Sequence, residues 1–232
     1  MKKLLTRFEL LLWSFSVLVI TSSFILSKDF DYTVLTASLI GATALIFVAK
    51  GNPLGQILTV VFACFYGYIS IKFCYWGEMI TYLFMTAPMA IAATVSWLKN
   101  PSKKGRGEVK VAAISRKTLI WLFVSSIVVT VIFYFILSGF NTPNIFFSTI
   151  SITTTFLASG LTFFRNPYYA LAYAANDVIL IILWTFASIE QISYLPMIAC
   201  FVIFLFNDLY GFINWKRMEK IKTYKVDFYL LL

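Results

Sequence analysis

The chain of 232 residues contains no histidine and only ten acidic residues. Without an imidazole it lacks the commonest general base and the commonest zinc ligand, which removes most hydrolytic and zinc chemistry. Cysteine is scarce as well: Cys64, Cys74 and Cys200 are odd in number and scattered, two of them inside predicted helices, so they form neither a disulfide framework nor a metal motif. No Gly-rich phosphate loop occurs, and no metal or cofactor is expected. Charge is the third shortage. Asp, Glu, Lys and Arg make up 12% of the chain, against about 25% in soluble domains.

Hydrocarbon takes their place. The chain is 60% apolar and 19% aromatic, with a mean hydropathy of +0.86, so water cannot be the solvent for most of its surface. A bilayer core of about 30 Å needs roughly 20 apolar residues in a helix. Eight such windows are readable. Four are residues 10–27, 32–49, 51–71 and 79–98; a stretch over 118–164 without formal charge is split by SGFNTPN (Ser138 to Asn144) into two. The last two, 167–189 and 192–215, carry one aspartate each, Asp177 and Asp208. The windows are continuously apolar, which indicates helices and not a β-barrel. An all-α, polytopic membrane protein with eight transmembrane helices is expected. MKKLLTR followed by an apolar run also resembles a signal peptide, but the run is long and no Ala-x-Ala site follows, so it is read as a retained helix.

Basic residues orient the chain. With the N-terminus in the cytoplasm, the cytoplasmic segments hold 17 of the 19 Lys and Arg, and only Lys28 and Lys72 fall outside. Both termini are therefore expected in the cytoplasm. The +9 net charge is accounted for in this way, without a nucleic-acid partner, and the basic loop SKKGRGEVK is read as a solvated, lipid-facing linker.

The chain also repeats itself. KGNPLGQIL at Lys50 and RNPYYALA at Arg165 place a basic residue and Asn-Pro between two helices; EMITYLFM (Glu78 to Met85) aligns with EQISYLPM (Glu190 to Met197). Each copy spans three helices and one helix joins them. An odd-numbered unit followed by one crossing makes the two copies parallel, an architecture of transporters that hold substrate between the copies. The expected units are an N-terminal extra helix (1–30), a first three-helix bundle (31–100), a basic loop with a linker helix (101–140), a second bundle (141–217) and a cytoplasmic tail (218–232).

Polar residues inside the windows are the candidate site. Along the seventh window Tyr169, Tyr173, Asn176, Asp177 and Trp184 share one helix face; along the eighth, Asn207, Asp208, Tyr210, Gly211, Asn214 and Trp215 cluster similarly. A carboxylate at bilayer depth costs about 2.5 kcal/mol or more, so Asp177 and Asp208 need a wet cavity or a partner. Amides between helices also serve as interhelical glue. Trp97 and Trp215, each close to a lysine, fit an interfacial aromatic belt equally well. The first copy offers Gln56, Thr59, Tyr66, Thr81, Tyr82 and Thr86. Rings, amides and carboxylates without Arg suit a small polar molecule with a planar, preferably cationic, ring.

NDLYGFINWKR near the C-terminus, YGY at Tyr66 to Tyr68 followed by YWGEMI, and the run from Ala87 to Lys99 resemble the PnuC family of vitamin transporters, over roughly residues 32–218. The resemblance implies a three-plus-one-plus-three arrangement related to the SWEET carriers, with an extra first helix. It also implies uptake of nicotinamide riboside by facilitated diffusion, trapping by intracellular phosphorylation, a bacterial cell (inner) membrane and no enzymatic activity. On it, Asn176 and Asn207 face the substrate and Trp184 stacks on its base; the polar helix faces read above add Tyr173, Tyr210, Asp177, Asp208, Asn214 and Gln56 to the candidate site. In the first repeat Ala92-Ala93-x-x-x-Trp97 stands in the Tyr-Gly-x-x-x-Trp slot and Ala90 replaces the expected amide, so thiamine, riboflavin and deoxynucleosides stay open as substrates. Proton or sodium coupling through Asp177 or Asp208 stays open too, as does a homo-oligomer in the lipid. An intramembrane diaspartyl protease lacks its Gly-x-Gly-Asp motif here, and a scaffolding subunit is the remaining reading.

Overall fold

The structure is a computed structural model describing residues 5–28, 31–72, 74–102, 107–190 and 194–230, with the side chains of 190 and 221–230 excepted. Among the described residues eight helices are long and apolar enough to cross a membrane: α1 (Arg7–Ser27), α2 (Tyr32–Ala49), α3 (Pro53–Lys72), α4 (Trp76–Lys99), α5 (Arg116–Gly139), α6 (Ile145–Phe163), α7 (Tyr169–Glu190) and α8 (Leu195–Leu230). A π-helical stretch, Thr81–Thr86, interrupts α4. α8 runs past the expected end of its window, because no Gly or Pro breaks the segment after Trp215 and Lys216 pairs with Glu219 one turn on.

The packing closes a ring. α2 lies against α3, α3 against α4, α4 against α6, α6 against α7, α7 against α8, and α8 returns to α2. Exchanging α2, α3, α4 for α6, α7, α8 reproduces this order, as a parallel duplication requires. Outside the ring, α1 packs on α2 and α8, and α5 on α6. α5 has the highest mean hydropathy, 2.6, and exposes Trp121, Phe123, Val131 and Phe135, a face suited to lipid.

The two Asn-Pro turns repeat atom for atom. Gly51 and Arg165 both take left-handed backbone, at φ 68° and 59°. Asn52 N donates to Phe47 O and Asn166 N to Leu161 O, both at 2.9 Å. The Asn52 Oδ1 then accepts Leu54 N at 2.9 Å, and Asn166 Oδ1 accepts Tyr168 N at 3.1 Å. Proline follows because a first-turn helical residue needs no N–H donor. For the second sequence match, Glu78 is buried and its Oε1 accepts from Ser151 Oγ at 2.9 Å; in EQISYLPM the side chain of Glu190 and residues 191–193 lie outside the described residues.

Two expectations change at the end of the ring that carries these turns. Trp97 and Trp215 are 1% and 0% exposed, so neither belongs to an interfacial belt. Each indole crosses to the other three-helix unit: Trp97 Nε1 donates to Thr162 O and Trp215 Nε1 to Val48 O, both at 3.0 Å. The preceding residues do likewise, Ser96 Oγ donating to Phe163 O at 3.0 Å and Asn214 Nδ2 to Ala49 O at 2.9 Å. The loop between α4 and α5, expected to be a solvated linker, is a strap over its described part. Val109 N donates to Gly51 O and Ala112 N to Arg165 O, while Val109 and Val111 bury against the tryptophan pair. Alternation in Glu108-Val-Lys-Val-Ala explains it: an extended segment turns both valines inward and Lys110 outward.

Candidate functional site: a polar cavity on the ring axis

Midway along the axis the ring encloses a cavity of about 50 Å³. α2 supplies an apolar wall of Gly41, Ala44, Leu45 and Val48, and Phe62 and Phe204 close one side. The polar wall is Gln56 and Thr59 from α3, Tyr82 and Thr86 from α4, Tyr173, Asn176 and Asp177 from α7, and Asp208 from α8. No Lys or Arg lies in this lining.

Helical spacing places the α7 group. Tyr173, Asn176 and Asp177 fall on the face that turns inward, and neighbouring hydroxyls hold them: Thr154 and Thr155 donate to Asn176 Oδ1 at 2.8 and 3.1 Å, and Tyr173 shares a 3.0 Å hydrogen bond with Ser159. Asp177 from α7 and Asp208 from α8 line the same cavity. Among the described residues no N–H or hydroxyl reaches Asp177 Oδ2. Both aspartates are 3% exposed.

Layers of rings stand along the axis on either side of the cavity. Toward the Asn-Pro turns stand Trp97, Trp215 and Tyr169, with centroids 5.3 Å apart for the tryptophans and 4.9 Å for Tyr169 and Trp215. On the other side Tyr66 packs on Tyr82 at 4.2 Å, on Phe201 at 5.6 Å and on Phe62 at 5.5 Å.

Of the residues expected in the site, the cavity therefore brings together Gln56, Tyr173, Asn176, Asp177 and Asp208, and leaves out Trp184, Asn207, Tyr210 and Asn214. Trp184 is fully buried in the outer aromatic layer, donating through Nε1 to Tyr66 Oη at 2.9 Å and packing edge-on to Tyr75 at 5.0 Å. Asn207 Nδ2 donates to Ile203 O at 2.8 Å and reaches Ser16 Oγ on α1 at 3.3 Å. Tyr210 donates to Glu9 Oε1 at 3.1 Å, while Glu9 Oε2 takes the ammonium of Lys50 at 3.0 Å. Asn214 is the clamp to Ala49 described above. Gly211 is a close approach inside a continuous helix, where a Cβ would stand 3.2 Å from Tyr169 Oη. Thr59, Tyr82 and Thr86 of the first unit do reach the cavity; Tyr66 and Thr81 do not. The wall of small α2 residues and the phenylalanines were not anticipated, although Gly41-Ala42-Thr43-Ala44 is a small-residue run within a span, a pattern that marks close helix approach.

Comparison with known proteins agrees with this architecture. A family model described as nicotinamide mononucleotide transporter matches residues 31–217. The chain belongs to that family. Two curated relatives named nicotinamide riboside transporter PnuC are similar to it. The one from Neisseria mucosa is 23% identical over 188 residues, covering 79% of this chain and 72% of the relative. The one from Haemophilus influenzae is 24% identical over 181 residues, covering 78% and 77%. A solved structure titled as the vitamin B3 transporter PnuC superposes with a TM-score of 0.81 at 22% identity, over 93% of each chain, and so shares the fold. For this member of the transporter family, the matched region begins at α2 and ends within α8, leaving α1 outside it.

Proposed function

We propose that the chain carries nicotinamide riboside across the membrane by facilitated diffusion, with net uptake maintained by phosphorylation inside the cell. The observation that carries this reading is the cavity between the two three-helix units: amide, hydroxyl and carboxylate groups on one wall, with aromatic rings around them. At about 50 Å³ it has room for a few waters, each needing about 10–15 Å³, and a nucleoside enters only when the units part. Such parting, first at one end and then at the other, is alternating access. The riboside is favoured over the mononucleotide because two carboxylates and no Lys or Arg line the cavity, so a phosphate would meet like charge without a partner. A pyridinium ring gains from the same carboxylates and from the faces of Tyr82 and Tyr173. Residues 176, 177, 208, 173 and 56 are the proposed ligands, with both termini in the cytoplasm and the protein in the inner membrane of a bacterium.

Uptake of labelled nicotinamide riboside into proteoliposomes, with no imposed ion gradient, tests this. Saturable uptake that unlabelled riboside blocks is the expected result. Uptake only of thiamine, riboflavin or a deoxynucleoside would reassign the substrate, and uptake only under an imposed pH or sodium gradient would defeat facilitated diffusion.

A further inference from the structure

α4 carries a proline inside a spanning helix. Pro88 has no N–H to offer Phe84 O, and its ring crowds that carbonyl, so the turns before it are free to widen. They widen into the π-helical stretch Thr81–Thr86, which packs against α3 and α6. Ala87 N then donates to Tyr82 O, five residues back. In a regular helix Tyr82 O is the carbonyl to which the Thr86 hydroxyl would donate. Thr43, Thr59, Thr94, Thr130, Thr162 and Thr185 each donate in this way to the carbonyl four residues back, at 2.7–2.9 Å. Thr81 and Thr86, at the two ends of the π-helical stretch, do not: both hydroxyls are buried and have no partner among the described residues. Of the two, only Thr86 lines the cavity. Two other hydroxyls of the lining are engaged, Thr59 with Gly55 O at 2.9 Å and Tyr173 with Ser159 at 3.0 Å.

We propose that Thr86 is a further ligand of the transported solute, its hydroxyl donating to an oxygen acceptor, either a ribose hydroxyl or the ring carboxamide; the inference rests on the nucleoside reading above. A buried donor without an acceptor is destabilising. The empty cavity carries that strain, and a solute that brings an oxygen to Thr86 relieves it, so part of the binding preference is built into the backbone of α4. A solute with carbon at that place leaves the hydroxyl unpaired and is disfavoured. No charge moves in this step and no ion is exchanged, as uncoupled diffusion requires. The irregular turn makes available a hydroxyl that a regular one would engage within its own helix, and irregular backbone of this kind is a feature of functional sites.

Calorimetric titration of the purified full chain with nicotinamide riboside compares the parent with Thr86→Val, which keeps the shape and lacks the hydroxyl, and with Thr86→Ser, which keeps the hydroxyl. Thr86→Val should weaken binding about tenfold, and Thr86→Ser should bind close to the parent. Without ligand, Thr86→Val should melt no lower than the parent, because a methyl replaces an unpaired hydroxyl; a side chain that only held α4 in place would lose stability along with affinity. Thr94→Val, on the same helix but with its hydroxyl on Ala90 O, should leave affinity unchanged. Ribosides lacking one hydroxyl at a time, and one lacking the carboxamide, identify the acceptor: the penalty of Thr86→Val vanishes for the analogue without it. If Thr86→Val does not fold, Thr86→Ala against Thr86→Ser carries the same comparison. A penalty that persists with every analogue overturns the inference, as does equal affinity of Thr86→Val and the parent, which leaves the substrate reading standing. If the parent binds thiamine, riboflavin or a deoxynucleoside and not the riboside, the substrate reading falls, while a tenfold penalty of Thr86→Val for that solute upholds this one and its absence overturns it. If the parent binds none of them, both fall.

Discussion

Asn207 and Asp208 are adjacent on α8 and therefore point about 100° apart. Asp208 shares its stripe with Phe204, Gly211 and Trp215 and looks toward the ring axis. Asn207 shares its stripe with Tyr210 and Asn214 and looks toward α1 and α2, where Ser16, Glu9 and Ala49 O receive the three in turn. The sequence shows both stripes but not which one faces the axis, because that depends on where α1 packs. On α7 a single inward stripe runs from Tyr169 to Trp184, and there the polar face was legible. Depth was not: Trp184 lies two turns beyond Asp177, in the outer aromatic layer. Asn176→Ala is accordingly expected to weaken riboside binding roughly five- to 150-fold, from the loss of about 1–3 kcal/mol of hydrogen bonding. Asn207→Ala should leave the dissociation constant unchanged within twofold, as measured by quenching of tryptophan fluorescence. Trp184→Phe keeps most of the packing and removes the donor to Tyr66; a loss of about 1–3 kcal/mol of stability, read by thermal melting, is expected from the stranded hydroxyl. A change in affinity without a change in melting would place Trp184 against the substrate instead.

At the scale of elements, the helices and their turns were readable from charge-free windows and from Asn-Pro, since span length and proline chemistry are local. The strap and the π-helical stretch of α4 were not, since both depend on what the other unit presents. The ends of helices also carry pins between distant segments. Asp31 caps α2, accepting Thr33 N at 2.9 Å, and pairs at 2.6 Å with Lys72 at the end of α3. Partial burial is the largest influence on its carboxyl and would raise its pKa, but the Lys72 hydrogen bond and the Thr33 N–H together hold it below the usual value. The folded state then binds this proton less readily than the unfolded chain. Its contribution is complete above the unfolded pKa, about 3.9, and is lost as pH falls through the lower folded value. For a pair this exposed the contribution is about 0.2–1 kcal/mol. Asp31→Asn should lower the melting temperature slightly at pH 7, and the gap from the parent protein should narrow below about pH 4. A gap independent of pH would assign the effect to the cap alone.

For the whole molecule, parity argued the two units parallel before any contact was known, and the ring order α2–α3–α4–α6–α7–α8 is what that parity builds. The duplication extends to function-bearing contacts. Ser96 and Asn214 occupy equivalent places, as do Trp97 and Trp215, and each pair reaches the same two carbonyls of the opposite unit. The end carrying the Asn-Pro turns is thus held shut by four hydrogen bonds arranged about a pseudo-twofold axis, and it opens only if both units release together. Removing the two side-chain donors that leave the aromatic layer intact, Ser96→Ala and Asn214→Ala, should shift the balance toward an open state. Each bond is worth about 1 kcal/mol net, or roughly fivefold in the closed-to-open ratio. The two sites share no side-chain partner, so the effects should multiply to about 25-fold. A cysteine at Thr59, in a background without Cys64, Cys74 and Cys200, reports the opening through its rate of modification by a cationic thiol reagent. Acceleration in the single variants, a larger one in the double, and protection by nicotinamide riboside are expected. An unchanged rate in the double variant would mean that the tryptophan pair and the strap alone keep this end closed, and that the hydrogen bonds beside them set only the register of the two units.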